Sequence, residues 1–418
     1  MASNKTFEFS GQEKKFSLIF LVIGIVLFGI GLITNIEHPT RLWSSLIYNN
    51  YFFLMISLCA LFFVSANTIG YSGWFIAVRR VSEAVMSWVP IGAVLLLIFL
   101  FLGGTHVYHW MDDSLYDANS PNFDEIIKSK EWWLNKPFYW SRAIIFAVVW
   151  SLCAWLIRRN SLQNDSSPSL GVYQRSKYIS AFLIVFFAVS SSMSSWDYMM
   201  SAQPHWYSTL WGWYTFISAF VTYHSVTMLI LLYLRSKGYM SDVINDSHIH
   251  DVGKFMFGFS IAWAYLFYSQ FMLIWYSNMP EETIYFKERF SHYPLVMYVT
   301  FVVNFMMPFF VLLTRGSKRN TKVLAFMACV IIFGHWLDYY QMMVPGAIAN
   351  MQHGAAHGGG GEHAAAPYYL VGRLGFLDIG LAFIYIGAAS YWVLNTLSKA
   401  PLLSENHPFA KETRYHQI

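Results

Sequence analysis

Ten long apolar runs occupy most of this chain, and they limit the folds that it can adopt. A helix needs about 20 apolar residues to cross a bilayer, and a backbone inside lipid must satisfy its own hydrogen bonds. Only 12% of the 418 residues are charged, whereas soluble domains carry about 25% charged residues. The sequence therefore predicts an all-α integral membrane protein with about ten transmembrane helices, at 17–36, 51–78, 82–107, 140–157, 177–200, 211–234, 254–277, 293–313, 322–345 and 368–397.

The placement of lysine and arginine predicts the orientation of these helices. Nineteen of these residues fall in the terminal segments and in alternate loops, and eight, including Arg41 and Arg142, are assigned to the opposite face. Because positively charged loops stay in the cytoplasm, we expect both termini there. The first apolar run follows Lys14 and Lys15 but lacks a small-residue cleavage site, so it is predicted to be retained. No basic patch indicates nucleic-acid binding.

A tryptophan–aspartate motif occurs twice, each time at the end of a long apolar run. The copies are Trp196-Asp197-Tyr198 and Trp336-Leu337-Asp338-Tyr339, about 140 residues apart. Both runs have the same predicted direction, which indicates a parallel repeat of spans 2–5 and spans 6–9, flanked by spans 1 and 10. Within one polytopic domain (1–418), the predicted parts are a first flanking span 17–36, a first bundle 51–200 with an outer loop 108–139, a second bundle 211–345, a Gly/His-rich linker 346–367, a last span 368–397 and a tail 398–418.

Helix geometry predicts that the ionisable residues concentrate in the outer half of the membrane. At 1.5 Å per residue, His224 lies near the membrane centre, and His335 lies slightly outside it and shares a helix face with Asp338. Ionisable groups are costly in lipid and usually mark a proton, ion or ligand path. The predicted outer proton path consists of Asp197, His224, His335, Asp338 and Asp378. The alternative role for these residues is interhelical hydrogen bonding that fixes the packing.

Motifs for tightly bound cofactors are absent from the sequence. There is no Cys-x-x-Cys-His motif for a covalent haem and no iron–sulfur ligand run, and the three cysteines are predicted to be apolar core residues. His224 and His335 could together ligate a b-type haem, although matched histidine pairs at two depths are lacking. His353, His357 and His363 could bind a metal, but a Gly-rich linker lacks the surrounding hydrogen bonds that a tuned metal site needs.

Three stretches resemble the NrfD/polysulfide-reductase-like family of integral membrane subunits. They are Ser195–Thr209, Tyr268–Thr283 and Trp336–Tyr339, and the likeness extends over all ten spans. The chain is similar to the second NrfD-like membrane subunit of bacterial alternative complex III, a quinol:cytochrome c oxidoreductase. The resemblance implies two four-helix bundles with flanking helices, in the inner membrane of a bacterium.

The same resemblance implies partners and cofactors. A multihaem cytochrome c subunit and an iron–sulfur subunit would carry the haem and iron–sulfur centres, beside the other NrfD-like membrane subunit, lipids and, in some assemblies, a terminal oxidase. Quinone or menaquinone is the expected ligand. A quinol base must lie within hydrogen-bond reach of the quinol hydroxyl, and the candidate quinol-binding residues are Asp197, His224, Gln270, His335 and Asp338.

Several functions fit these observations. We favour a subunit that supplies an outer proton path and a scaffold for redox subunits over one that itself oxidises quinol, so an enzymatic role is left open for this chain and assigned only to the complex. A secondary transporter would also show repeats and polar residues near the membrane centre. A purely structural anchor would tolerate polar substitutions and would hold no quinone.

Overall fold

Ten long helices form this protein, and a computed structural model describes residues 6–241, 243–357 and 371–417 of it. All ten are long and apolar enough to cross a membrane, which confirms the predicted all-α membrane protein with about ten spans. We number them span 1 (Gly11–Thr34), span 2 (Pro39–Ile69), span 3 (Ile76–Val107), span 4 (Lys136–Ser166), span 5 (Leu170–Ala202), span 6 (Trp211–Ser236), span 7 (Asp246–Ser277), span 8 (Pro294–Val311), span 9 (Thr321–Ala349) and span 10 (Phe376–Leu397).

The two ends of the helix bundle differ. One end, here called the termini face, carries both terminal segments, which meet at a backbone bridge between Thr6 and Pro401. The opposite end, here called the loop face, carries the segments between spans 3 and 4 and between spans 7 and 8. Shorter helices cover these faces, at His109–Met111, Asp113–Leu115, Glu125–Ser129, Pro280–His292, Ser317–Arg319 and Ala410–Arg414.

Spans 2–5 and spans 6–9 each pack as a closed ring of four helices. In the first ring each span contacts the next and span 5 returns to span 2, and spans 6, 7, 8 and 9 follow the same order. Between the rings, span 2 packs against spans 6 and 9, and span 6 packs against spans 2 and 5. These contacts relate the two rings reciprocally, except that span 3 also packs against span 6, and the arrangement agrees with the predicted pair of bundles.

Several predicted boundaries were wrong because polar helix residues are buried against neighbouring helices. Span 2 begins at Pro39 rather than at 51, and span 4 begins at Lys136 rather than at 140. The prediction that Arg41 lies in a loop was therefore wrong, since its side chain is buried within span 2, whereas Arg142 is buried in span 4, inside the predicted run 140–157. Hydropathy scales penalise charged residues, whereas an ion pair with a carboxylate offsets part of the cost of burying them.

The helix of span 9 is longer than its apolar run. It continues through Pro345 to His357, so the first part of the predicted linker 346–367 is helical. Residues 358–370, with His363, lie outside the described residues, as do the side chains of His353 and His357. Span 10 begins at Phe376 rather than at 368.

Spans 1 and 10 pack against each other at glycine contacts. A Cβ atom added to Gly31 would lie 2.3 Å from the backbone nitrogen of Leu377, and one added to Gly380 would lie 2.3 Å from that of Phe28. Small residues let helix backbones approach closely, which is a main source of helix association in lipid. Any side chain larger than hydrogen at Gly31 must therefore separate the two helices.

We expect Gly31→Leu to detach span 1 from span 10, because overpacked helix contacts cost about 1–3 kcal/mol or more. Gly29→Leu is the matched control, since a Cβ added to Gly29 has no atom within 4 Å. The measurement is oxidative cross-linking of cysteines placed at Ser17 and Ser390, whose hydroxyl oxygens are 3.0 Å apart. Equal cross-linking in both leucine variants would contradict the close glycine packing.

Candidate functional site

Asp338 in span 9 is a buried carboxylate held by neutral hydrogen-bond donors. Tyr214 on span 6 donates its hydroxyl to Oδ1, and Ser218 Oγ and Trp263 Nε1 lie 3.0 Å and 2.8 Å from Oδ2. No arginine or lysine pairs with this carboxylate among the described residues. Among the described side chains, hydrogen-bond donors alone hold this carboxylate.

His335 lies one helical turn from Asp338, as predicted, and Ser218 links the two side chains. His335 Nδ1 is 2.9 Å from Ser218 Oγ and 3.8 Å from Asp338 Oδ2. If Ser218 donates to Asp338, its oxygen accepts the Nδ1 proton of His335, and the three groups form a continuous hydrogen-bonded relay. His335 Nε2 is buried and makes no hydrogen bond to a described residue.

A cleft opens from Asp338 toward the loop face. It encloses about 260 Å³, part of it continuous with the exterior, and aromatic rings form much of its wall. Gln270 of span 7 lines the cleft, is 5% exposed and has an amide nitrogen without a partner in the described part of the chain. The cleft is lined by Tyr214, Phe267, Gln270, Tyr285, Phe286, Met297, Asp338 and Gln341.

The helix Pro280–His292 covers this cleft from the loop face. Its Tyr285 ring stacks on Trp206 at 4.2 Å between centroids, and the Arg289 guanidinium lies 3.4 Å from the centre of the same ring. One turn from Tyr285, Glu288 accepts a hydrogen bond of 3.3 Å from Gln203. Burial raises the pKa of Glu288 although Arg289 opposes the change. This carboxyl therefore exchanges protons closer to neutral pH than an exposed glutamate does.

Asp197 in span 5 has a different environment from Asp338. Arg142 of span 4 donates Nε to Oδ2 at 2.7 Å and Nη2 to Oδ1 at 2.9 Å, and Trp133 donates to Oδ1 at 3.1 Å. The guanidinium lies between the rings of Trp133 and Phe138, at 4.3 Å and 4.1 Å from their centres. Such a bidentate buried pair joins span 4 to span 5.

Asp378 is likewise paired with an arginine. Arg41 of span 2 binds both carboxylate oxygens, and Ser45 and Tyr48 each donate to Oδ1 at 3.0 Å. The backbone nitrogen of Gly375 donates to Oδ2 at 3.1 Å. The arrangement satisfies the carboxylate and ties span 10 to span 2.

His224 lies apart from these groups, in a box of aromatic rings. Its Nδ1 donates to the Phe220 carbonyl at 2.9 Å, and the ring stacks on Phe255 at 4.6 Å and meets Phe63 edge-on at 4.8 Å. Ser218, which contacts His335, lies about 9 Å further along span 6. The structure thus brings Gln270, His335 and Asp338 together, and it places Asp197, His224 and Asp378 in three other environments.

Span 8 contributes a polar residue that the sequence did not single out. A π-helical turn, Val302–Met306, positions Asn304 in the core of the second bundle, fully buried, with both polar side-chain atoms lacking described partners. A Cβ atom on Gly334 would lie 2.0 Å from Asn304 Oδ1, so the glycine before His335 makes room for this amide. Such π-turns are frequent at functional sites.

The part of the chain that the structure describes contains no group of three His, Cys, Asp or Glu residues that could hold a metal ion. A comparison with protein-family models and with curated proteins finds no match for this chain. The resemblance to NrfD-like subunits, with the function that it implies, therefore stays a prediction.

Proposed function

We propose that this chain is a membrane subunit of a respiratory quinol:cytochrome c oxidoreductase of the alternative complex III type, and that its second bundle conducts protons on the loop-face side. The observation that carries this proposal is the cation-free Asp338, which is joined through Ser218 to His335 and opens to the cleft. Intramembrane carboxylates and histidines in series are typical of proton relays.

The relay works by proton displacement. In one direction, a doubly protonated His335 gives its Nδ1 proton to Ser218 while Ser218 gives its own proton to Asp338, which leaves a neutral imidazole and a carboxyl group that can release its proton to the cleft. In the other direction, Asp338 gives its proton to Ser218 and Ser218 gives its own proton to Nδ1 of a neutral His335. Glu288, above the cleft, is the group through which protons exchange with the aqueous phase at the loop face. Quinol oxidation releases two protons on that side, and such a path would carry them to the aqueous phase.

The first bundle and the flanking spans serve as the scaffold in this proposal. The Arg142–Asp197 and Arg41–Asp378 pairs hold the helix ends in register at the loop face. There the multihaem cytochrome and iron–sulfur subunits would dock, and the second NrfD-like subunit would lie beside the chain in the membrane. In this proposal the termini face is cytoplasmic, by the positive-inside rule, and the resemblance to NrfD-like subunits implies the bacterial inner membrane.

A second candidate function is quinol binding in the cleft itself. The observation that favours it is Gln270, whose unpaired amide shares an aromatic-lined cleft with Asp338. An amide donor and a carboxylate acceptor suit the carbonyl and hydroxyl groups of a quinone–quinol pair.

Affinity isolation of this chain from its native membrane tests the proposed assignment. We expect it to co-purify with c-type haem absorbance and with iron–sulfur signals in electron paramagnetic resonance spectra. A secondary transporter would purify without redox proteins. Purification of the chain alone under mild detergent, with the redox proteins still present in the membrane, would contradict the proposal and favour the transporter.

A further inference from the structure

A second cleft lies at the termini face, away from the Asp338 cleft. It encloses about 240 Å³, partly open to the exterior, between the ends of spans 3, 4 and 5 and the C-terminal tail. Asn164 and Asn406 hold the tail in place, the first by donating to the Asn406 carbonyl and the second by donating to the Asp165 carbonyl at 2.7 Å. The tail therefore forms one wall of this cleft.

Hydrogen-bond donors converge on this cleft. Arg79 is 4% exposed and donates Nε to Glu83 at 2.8 Å, and its two terminal nitrogens bond to no described residue. His407 accepts a hydrogen bond at Nδ1 from the Phe409 backbone, so its neutral ring carries the proton at Nε2. That nitrogen is buried and without a described partner. Burial, followed by the nearby Arg79 cation, lowers the pKa of His407 to about 3, which keeps the ring neutral.

The charges around the cleft leave an excess of one cation. Arg79, Arg80 and Arg158 face two carboxylates, Glu83 and Asp165. Glu83 is bound by Arg79 and Arg80, and Asp165 by Arg80. Neither carboxylate lines the cleft, whereas Arg79 and the hydroxyl-bearing Ser404 and Ser176 do. The cleft is therefore suited to an anion with several acceptor oxygens.

We propose that this termini-face cleft binds a phosphate group, with Arg79, His407 and Ser404 as its donors. Arginine forks and neutral N–H and O–H donors match the tetrahedral oxygens of phosphate. The ligand is either the phosphate of a phospholipid, since the cleft lies at a membrane face, or free inorganic phosphate. A bound phosphate group would connect the ends of spans 3, 4 and 5 to the C-terminal tail.

The test uses the intact assembly in mild detergent and has two arms. Native mass spectrometry counts phospholipids that co-purify with the chain, and equilibrium dialysis with labelled inorganic phosphate follows removal of lipid. We expect one phosphate-bearing ligand per chain in one arm: a retained phospholipid identifies a lipid site, and binding only of inorganic phosphate identifies a soluble-anion site.

The variants connect this binding to the cleft. His407→Phe keeps the ring contacts with Tyr173 and Phe409 but removes the donor, and we expect it to weaken binding roughly tenfold or more. Ser404→Ala should weaken binding less. Arg159→Gln is the control, because Arg159 is an exposed cation on span 4 that lies over Trp155. Absence of both ligands from the wild-type protein, or unchanged binding in His407→Phe and Ser404→Ala, would overturn the proposal.

Discussion

Replacement of Asp338 by Asn is expected to slow quinol-driven turnover of the assembly about 100-fold, within the usual contribution of a general acid–base group. The amide keeps the shape of the carboxyl group and still accepts from Ser218 and Trp263 through its oxygen. Its nitrogen then faces the Tyr214 hydroxyl, which can rotate to accept. The helix packing is thus preserved while the proton-accepting group is lost. Steady-state oxidation of quinol, with haem content as the measure of assembly, checks this result.

Two further variants separate the relay from its alternatives. Ser218→Ala breaks the link between His335 and Asp338 but leaves the carboxylate, so we expect a smaller loss of turnover than in Asp338→Asn. Gln270→Leu alters the cleft without touching the relay: a raised KM for quinol would favour quinol binding there, and an unchanged KM would favour a proton path alone. Wild-type turnover in both Asp338→Asn and Ser218→Ala would exclude the relay and favour a structural anchor.

Local helix geometry explains what the sequence could predict at this site. The spacing of His335 and Asp338 places them on one helix face whatever the surrounding fold, and the apolar runs determine the ten spans. The donors to Asp338 come from other helices: Tyr214 is 124 residues away and Trp263 is 75 residues away along the chain. Periodicity within one helix carries no information about such partners.

The arginine partners of Asp197 and Asp378 were not predicted from the sequence, for a different reason. Arg41 lies near a helix end, where hydropathy assigns a cation to a loop, and Arg142 lies just inside a predicted span, where no partner was predicted for it. Each forms a buried ion pair with a carboxylate on another span. Asp197 and Asp338 therefore look equivalent in the repeated motif, yet only the first has a guanidinium within reach. The repeat predicts position along the membrane normal, whereas partners on other helices determine whether a carboxylate is ion-paired.

Loss of Arg142 is expected to destabilise the protein by about 3–5 kcal/mol, the usual cost of leaving one member of a buried ion pair uncompensated. Arg142→Met keeps an unbranched side chain between the rings of Trp133 and Phe138 but leaves Asp197 without its two guanidinium bonds. Cys59 and Cys153 are buried whereas Cys329 is exposed, so in a Cys329→Ser background the temperature at which the two buried cysteines react with a thiol-specific dye reports unfolding. We expect a clearly lower midpoint in Arg142→Met than in wild type.

The double variant Arg142→Met/Asp197→Leu decides what this pair does. Replacing a whole buried ion pair with apolar residues is often neutral for stability, so the double variant should regain most of the lost midpoint temperature. A double variant as unstable as Arg142→Met would show that the charge left on Asp197 is not the cause. If stability and turnover both return, Asp197 serves the packing of spans 4 and 5. If stability returns without turnover, Asp197 takes part in proton transfer although an arginine covers it, as the repeated motif predicts.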